Sequence, residues 1–462
     1  MSQKKSRSPW AWIPTLYFAQ GLPYVAVMTV SVIMYKKMGI SNTDIALYTS
    51  WLYLPWVIKP FWSPFVDIIK SKRWWTIAMQ WVMVLALAGI AFFIPTPFYF
   101  RMTLAVFWLL GFTSATHDIA SDGFYMHALT EHEQSLYVGI RSTFYRVATV
   151  AGQGLLVILA GLIESSKAEL PFENALGGKI TMSWTVVFAV LSLFFLCVAA
   201  YHTWALPKPH SDGNRGNTKP GEIIREFGKT FASFFRKKQI VVAIIFMLLY
   251  RLPEAQLVKL INPFLLDPVS KGGLGLSTEA VGLVYGTVGI IGLTLGGIIG
   301  GLCAAKGGLN KWLKPMAWSM SLTCLTFIYL SFAQNHSLPV INVCVFIEQF
   351  GYGFGFTAYM LFLIYFSEGE YKTAHYSICT GFMALSMMLP GMVAGWIQES
   401  AGGVIARLMP TVAGGLAAPD AGYKLFFVWT MICCAATIAV AMLVKVNPTF
   451  GLKEEEPKKA KE

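Results

Sequence analysis

PKPHSDGNRGNTKPGEIIREFGKTFASFFRKK, residues 207–238, divides the chain. Its first part is rich in Pro, Gly, Asn and Ser and reads as a linker. From Glu222 to Lys238, Ile223, Ile224, Phe227, Phe231, Phe234 and Phe235 recur at helical spacing among charges. That pattern predicts an amphipathic helix lying on a membrane face. Working outward, six long apolar stretches lie on each side of the segment. The predicted spans are 10–35, 43–66, 75–96, 98–121, 138–163 and 182–206, then 239–266, 278–304, 313–333, 338–366, 374–398 and 422–445. A helix needs roughly 20 residues to cross a hydrocarbon core of about 30 Å. The expected fold is therefore an all-α membrane protein of twelve transmembrane helices. Its expected parts are an N-terminal six-helix bundle (1–206), the linker with its helix (207–238), a C-terminal six-helix bundle (239–445) and a disordered charged tail (446–462). Six plus six around a long central loop is the layout of a carrier that rocks two halves about a central site.

Composition agrees. Hydrophobic residues make up 55% and charged residues 13%, where a soluble domain carries about 25% charged residues. Mean hydropathy is +0.57. The net charge of +12 does not point to nucleic acid, because Lys and Arg gather on the segments that share a side with the two termini. Under the positive-inside rule that side is cytoplasmic. The basic head (Lys4, Lys5, Arg7) lacks a small-residue cleavage site, so the first span reads as a retained helix. All seven cysteines fall in apolar spans without metal-ligand spacing, which predicts small hydrophobes and neither disulfides nor a metal site. No cofactor is implied. The expected partners are the lipid bilayer, a small-molecule cargo and protons, with the protein a monomer.

The halves show a parallel repeat. Gly39-Ile40-Ser41 opens span two and Gly275-Leu276-Ser277 opens span eight. Ala160-Gly161-Leu162-Ile163-Glu164-Ser165 ends span five, and Ala394-Gly395-Trp396-Ile397-Gln398-Glu399-Ser400 ends span eleven, at nearly the same offset. Leu-Pro pairs at Pro23 and Pro253 fall in the equivalent spans one and seven, where each removes a backbone hydrogen bond. Glycines 292, 296, 297, 300 and 301 of span eight allow close helix approach.

Charges inside the spans select the candidate site. Each costs roughly 2.5–3.5 kcal/mol on insertion scales and needs a partner or a wet cavity. Lys59, Arg141, Arg146, Arg251 and Lys259 are among the in-span cations. Asp118 and Asp122 share a helix face at i, i+4 and are expected to pair with Arg141, Arg146 or both, as a cytoplasmic gate, a substrate anchor or a structural ion pair. Arg251 and Glu254, with Tyr250 beside them, lie near mid-depth in span seven; Glu348-Gln349 lie there in span ten, and Gln20 and Tyr24 in span one. A carboxylate there is disfavoured by desolvation and favoured by a neighbouring arginine, a balance suited to taking up and releasing a proton. Glu254, Glu348, Asp118 and Asp122 are thus the proton-coupling candidates. Gln20, Tyr24, Arg141, Arg146, Tyr250, Arg251, Asn262 and Gln349 are the substrate-binding candidates. His117 and Asp118 point in different directions on a helix and no nucleophile setting is present, which argues against an intramembrane enzyme.

Lys59-Pro60 followed by Trp62-Ser63-Pro64-Phe65-Val66-Asp67 and the basic Lys70, Lys72 and Arg73 resembles the major facilitator loop motif without its glycines. Lys59 and Asp67 are accordingly expected as gate or structural residues. Gly21-Leu22-Pro23-Tyr24, Lys59 to Asp67, His117-Asp118-Ile119 with Asp122, Leu249-Tyr250-Arg251-Leu252, Phe346-Ile347-Glu348-Gln349 and Pro390 to Trp396 together resemble the muropeptide permease (AmpG) family of the major facilitator superfamily. The resemblance covers most of the chain, in order. It implies proton-coupled import of anhydro-muropeptides, or of their parent disaccharide, across the bacterial inner membrane. Carriage of another oligosaccharide, an acyl-coenzyme or a drug-like substrate, and a non-transporting sensor, are the alternatives left open.

Overall fold

The computed structural model describes residues 8–129, 131–167, 172–209, 220–369, 371–411, 416 and 418–450. Among these residues the chain is helical, with no strand. Ten helical stretches are long and apolar enough to cross a membrane: Pro9–Lys37, Lys72–Phe93, Thr143–Ser165, Lys179–Ala205, Ile240–Leu266, Thr278–Gly307, Leu309–Ala333, Leu338–Ser367, Ala374–Leu408 and Gly422–Leu443. The expected spans 43–66 and 98–121 are also helical but fall short of that standard. The first is broken at Leu52–Tyr53 into Asn42–Trp51 and Leu54–Ile69. The second, Tyr99–Ala128, carries His117, Asp118 and Asp122.

The helices are apolar outside and polar inside. Leu85, Phe92, Leu193, Val241 and Ile432 are each at least 60% exposed, whereas Thr76, Gln80, His117 and His202 are wholly buried. In water such an outer surface is an aggregation hazard; against lipid tails it is the matched solvent, and the polar groups find partners within the bundle. This is a multi-pass membrane protein.

Where helices meet closely, glycine permits it. The Thr278–Gly307 helix packs along Leu338–Ser367, and a Cβ at Gly292 would lie 2.7 Å from the Phe346 carbonyl. The Leu-Pro pairs sit at backbone irregularities. Pro23 is followed by a wide turn at Ala26–Val30. Pro253 stands in the first turn of Leu252–Leu266, which restarts after Ile240–Leu249 ends.

The sequence repeat has a geometric counterpart. Gly39 and Gly275 both hold positive φ, +86° and +64°, which glycine adopts without strain. The serine two residues on caps the following helix: Ser41 Oγ accepts from the Asp44 N–H at 3.0 Å and Ser277 Oγ from the Ala280 N–H at 3.2 Å. The linker helix, Pro220–Phe235, does not simply lie on a surface. Its Phe231 and Phe227 rings reach Phe61 (5.3 and 6.1 Å), and Phe234 is buried against Phe366 and Phe382. It thus bridges helices from before and after the linker at the end of the molecule that carries the termini. The tail expected at 446–462 is described only to residue 450.

Candidate functional site

Three polar layers are built on the helices that precede and follow the linker, and the one at the end away from the termini is bonded from one set to the other. The deepest is built on the break in span seven. With Pro253 unable to donate, the helix stops at Leu249 and restarts at Leu252, leaving Arg251 as its N-cap. Glu254 then falls in the first turn, where the helix dipole favours a carboxylate. Arg251 does not bridge to Glu254. Its Nη2 donates to the Tyr352 hydroxyl at 2.5 Å, and its guanidinium stands 4.8 Å from the Phe356 ring and 5.9 Å from Tyr359, within cation–π range. Its Nε is buried without a partner. Glu348 accepts from Gln349 Nε2 at 2.8 Å and lies within electrostatic reach of Glu254. Glu254 makes no side-chain hydrogen bond among the described residues, yet is only 3% exposed. Tyr24 reaches this layer from span one, edge-on to Trp56 at 5.2 Å. Two expected members are placed otherwise. Tyr250 is fully buried, with its hydroxyl given to the Gly355 carbonyl at 3.0 Å and its ring stacked on Tyr359; it is core packing. Asn262 is buried further along its helix, its Oδ1 unpartnered.

The second layer lies toward the end carrying the termini. Asp122 pairs with Arg141 at 2.9 Å and accepts from the Tyr17 hydroxyl at 3.3 Å. Arg141 stacks over Tyr17 at 4.6 Å. Asp118 does not take an arginine: its partners are Lys59, at 2.5 Å, and the amide of Gln20. Gln20 thus belongs to this layer and not to the deep one. Arg146 takes no part in this pairing. It is exposed, has no ion-pair or hydrogen-bond partner among the described residues, and turns toward Gly297 in the other set of helices. Asp67 falls on the Leu54–Ile69 helix, and its side chain lies outside the described residues.

The third layer closes the opposite end, and sequence reasoning missed it. Lys36 bridges to Asp267 at 2.7 Å and donates to Asn42 at 2.7 Å. Asp267 also accepts from Tyr423 at 2.6 Å. Asn42 Nδ2 donates to Gln398 and Tyr423 at 2.7 and 2.9 Å. Glu399 accepts from the Asn42 N–H at 2.7 Å and from Thr43. Across the pseudo-symmetry, Glu164 accepts from Thr278 at 2.6 Å and pairs with Lys37 at 3.1 Å. A cavity of about 580 Å³, lined by Lys36, Asn42, Asp267 and Glu399 among others, opens outside this latch. The signal was present: the repeated Ala-Gly motifs end in Glu164 and Glu399.

A second missed feature is a buried polar chain. Thr15 Oγ1 meets His202 Nε2 at 2.9 Å, His202 Nδ1 meets Gln80 Oε1 at 3.0 Å, and Gln80 Nε2 meets His117 at 3.0 Å. It ties four helices together behind Asp118. Among the described residues no His/Cys/Asp/Glu group is arranged to hold a metal, and all seven cysteines are free thiols.

Residues 15–395 match the Major Facilitator Superfamily. The chain belongs to that superfamily, and it is a transport protein and not an enzyme. It is 25% identical over 384 residues to "Putative transporter AmpG 4" of Rickettsia conorii, covering 80% of this chain and 85% of that one. It is 24% identical over 395 residues to the anhydromuropeptide permease of Escherichia coli K12, covering 84% and 74%. The resemblance to the muropeptide permeases read from short motifs therefore extends along the chain. Among solved structures, a bacterial homologue of the human lysosomal transporter Spinster superposes with TM-score 0.72 at 15% identity, covering 96% of this chain and 97% of that one. A D-xylose–proton symporter superposes with TM-score 0.69 at 12% identity, covering 96% and 98%.

Proposed function

We propose that this chain is a proton-coupled importer of amino-sugar-containing cell-wall fragments, anhydro-muropeptides or their parent disaccharide, working by alternating access as a monomer in the bacterial inner membrane. Twelve spans, with both termini cytoplasmic, complete the topology. The observation that carries the reading is the deep layer: two buried carboxylates, Glu254 and Glu348, lie within electrostatic reach of each other beside a buried arginine that stands over aromatic rings and whose Nε has no partner. Arg251 and Gln349 anchor the cargo, tyrosines 24 and 352 and Phe356 face its sugar rings, and the carboxylate pair carries the proton. Mid-depth ionisable groups at the interface of two repeats are where secondary carriers place their coupling sites. Asp118, Asp122, Lys59, Arg141 and Gln20 form the cytoplasmic-side gate, and Arg146 faces the cargo pathway. The relatives named for anhydromuropeptides support the cargo class.

The test is uptake of labelled N-acetylglucosaminyl-anhydro-N-acetylmuramic acid into proteoliposomes, with and without an inward proton gradient. Gradient-driven accumulation is expected. Glu348→Gln should abolish accumulation and spare counterflow exchange; intact accumulation in that variant removes Glu348 from the coupling step.

A further inference from the structure

Between the latch and the deep layer sits a cation that neither explains. Lys259 is 1% exposed on the Leu252–Leu266 helix. Its ammonium donates to Thr49 Oγ1 at 3.0 Å and stands 5.1 Å from the Tyr53 ring centroid. No carboxylate among the described residues lies within ion-pair distance of it. An ammonium has three donors, and a buried charge with one hydroxyl and one ring face is poorly compensated. Nearby acceptor capacity is idle too: Ser50 Oγ is buried without a partner. The packing is tight, since a Cβ at Gly391 would lie 2.7 Å from Ser50 Oγ, 3.3 Å from the Ala255 carbonyl and 3.5 Å from Lys259 Cε.

Both of the lysine's contacts, Thr49 and Tyr53, come from the other side of the interface. When the latched end opens, the Asn42–Trp51 helix and the segment after it leave the Leu252–Leu266 helix, and the ammonium loses both. Along its own chain Lys259 is eight residues from Arg251 and eight from Asp267, about 12 Å each way at helical rise. It stands midway between the latch and the deep arginine. We propose that Lys259 is the anchor for a carboxylate of the cargo while the latched end is open, received there before Arg251 takes the cargo deeper. This rests on the reading of the chain as an importer of cell-wall fragments and adds that the fragment is recognised by its negative charge.

The experiment measures binding of an anhydro-muropeptide with free carboxylates, and of the same molecule fully methyl-esterified, to the purified full-length protein. Wild type should prefer the free acid by tenfold or more, about 1.4 kcal/mol. Lys259→Gln should erase that preference while leaving the ester's affinity within twofold, and Lys259→Arg should keep part of it. A preference retained in Lys259→Gln, or equal weakening of both forms, overturns the proposal. Labelling of Lys259→Cys by a membrane-impermeant thiol reagent applied to the latched end, against wild type as background and with Asp267→Asn added to loosen the latch, gives an independent reading. A thiol at position 259 that no reagent reaches overturns the placement whatever the cargo. A reachable thiol there supports it even if wild type binds neither form, an outcome that sinks the cargo reading alone.

Discussion

Asp267→Asn removes the charge at the centre of the latch. Asp267 is 6% exposed and holds two partners from elsewhere in the fold, Lys36 at 2.7 Å and the Tyr423 hydroxyl at 2.6 Å. Hydrogen bonds to a charged group contribute about 1.5–3 kcal/mol each. Asparagine keeps one carbonyl acceptor, enough for Tyr423, and turns its amide donor toward the Lys36 ammonium. The net loss is then about one charge-assisted bond, roughly 1.5–3 kcal/mol. The Lys36–Asp267 bridge spans the interface and, on the alternating-access reading, exists only while this end is closed, so the whole difference acts on the open–closed equilibrium. At about 1.4 kcal/mol per tenfold, the open fraction should rise between about tenfold and about a hundredfold. Ser50→Cys reports it: the site is buried beneath the latch, and the substitution is nearly isosteric. Its labelling rate by an impermeant reagent should climb by the same factor in Asp267→Asn, and the Lys36→Asp, Asp267→Lys exchange should recover part of the closure. An unchanged rate, in protein shown to be folded, would falsify the assignment of this layer as a gate.

Other perturbations test other layers. Gly395→Ala places a Cβ into the Asn42 carbonyl, so it should prop the latched end open and cut transport at least tenfold with normal expression; uptake per folded molecule is the measurement. Lys59→Met strands Asp118 against Gln20 alone, and because the pair is about a fifth exposed the loss should be about 1–3 kcal/mol. Asp118→Asn combined with Lys59→Met should be milder than either single change, read from unfolding midpoints in detergent. Gln80→Ala orphans a ring nitrogen on each of His117 and His202, about 1–3 kcal/mol per group; it should lower thermal stability markedly while leaving the cargo affinity of the surviving protein unchanged, and a shifted affinity with normal stability contradicts a structural role for the chain.

The architecture was legible because hydropathy over a twenty-residue window is a strong signal in a bilayer and weak elsewhere. What escaped followed from side-chain reach. Span two was expected as one helix, but Leu52 and Tyr53 interrupt it, and Pro55 in the first turn after the break cannot donate to the Trp51 carbonyl. Arg141 and Arg146 were equal candidates for the Asp118–Asp122 couple, being on the neighbouring span. Five residues apart on a helix they diverge by about 140° in direction, and only Arg141 reaches the couple. Lys59 then takes Asp118 from a helix whose contact no spacing rule announces. Tyr250 was drawn into the site by its neighbours in sequence, although the residue preceding an N-cap points elsewhere; its hydroxyl is spent on Gly355.

The two-fold relation between the halves gives the latch its logic. Gly161 lies against the backbone of Glu279, and Gly395 against that of Asn42. In each case the glycine of the Ala-Gly motif in one half receives the capped helix start that follows the Gly-x-Ser motif in the other. Each glycine is followed by a glutamate, Glu164 or Glu399, that accepts from the threonine at that helix start, Thr278 or Thr43. The two motifs that revealed the repeat are therefore the two sides of one contact, made twice. A repeat retained only for helix packing within a half has no reason to place its matching motifs across the interface from one another. A contact that must form and release on both sides together does, because equal partners on the two sides let the halves rock without twisting. The deep layer does not share this symmetry: Arg251, Glu254 and Glu348 all come from after the linker. On the proposed function, closure is thus built by duplication, and the chemistry of the cargo and its driving ion by divergence of one half.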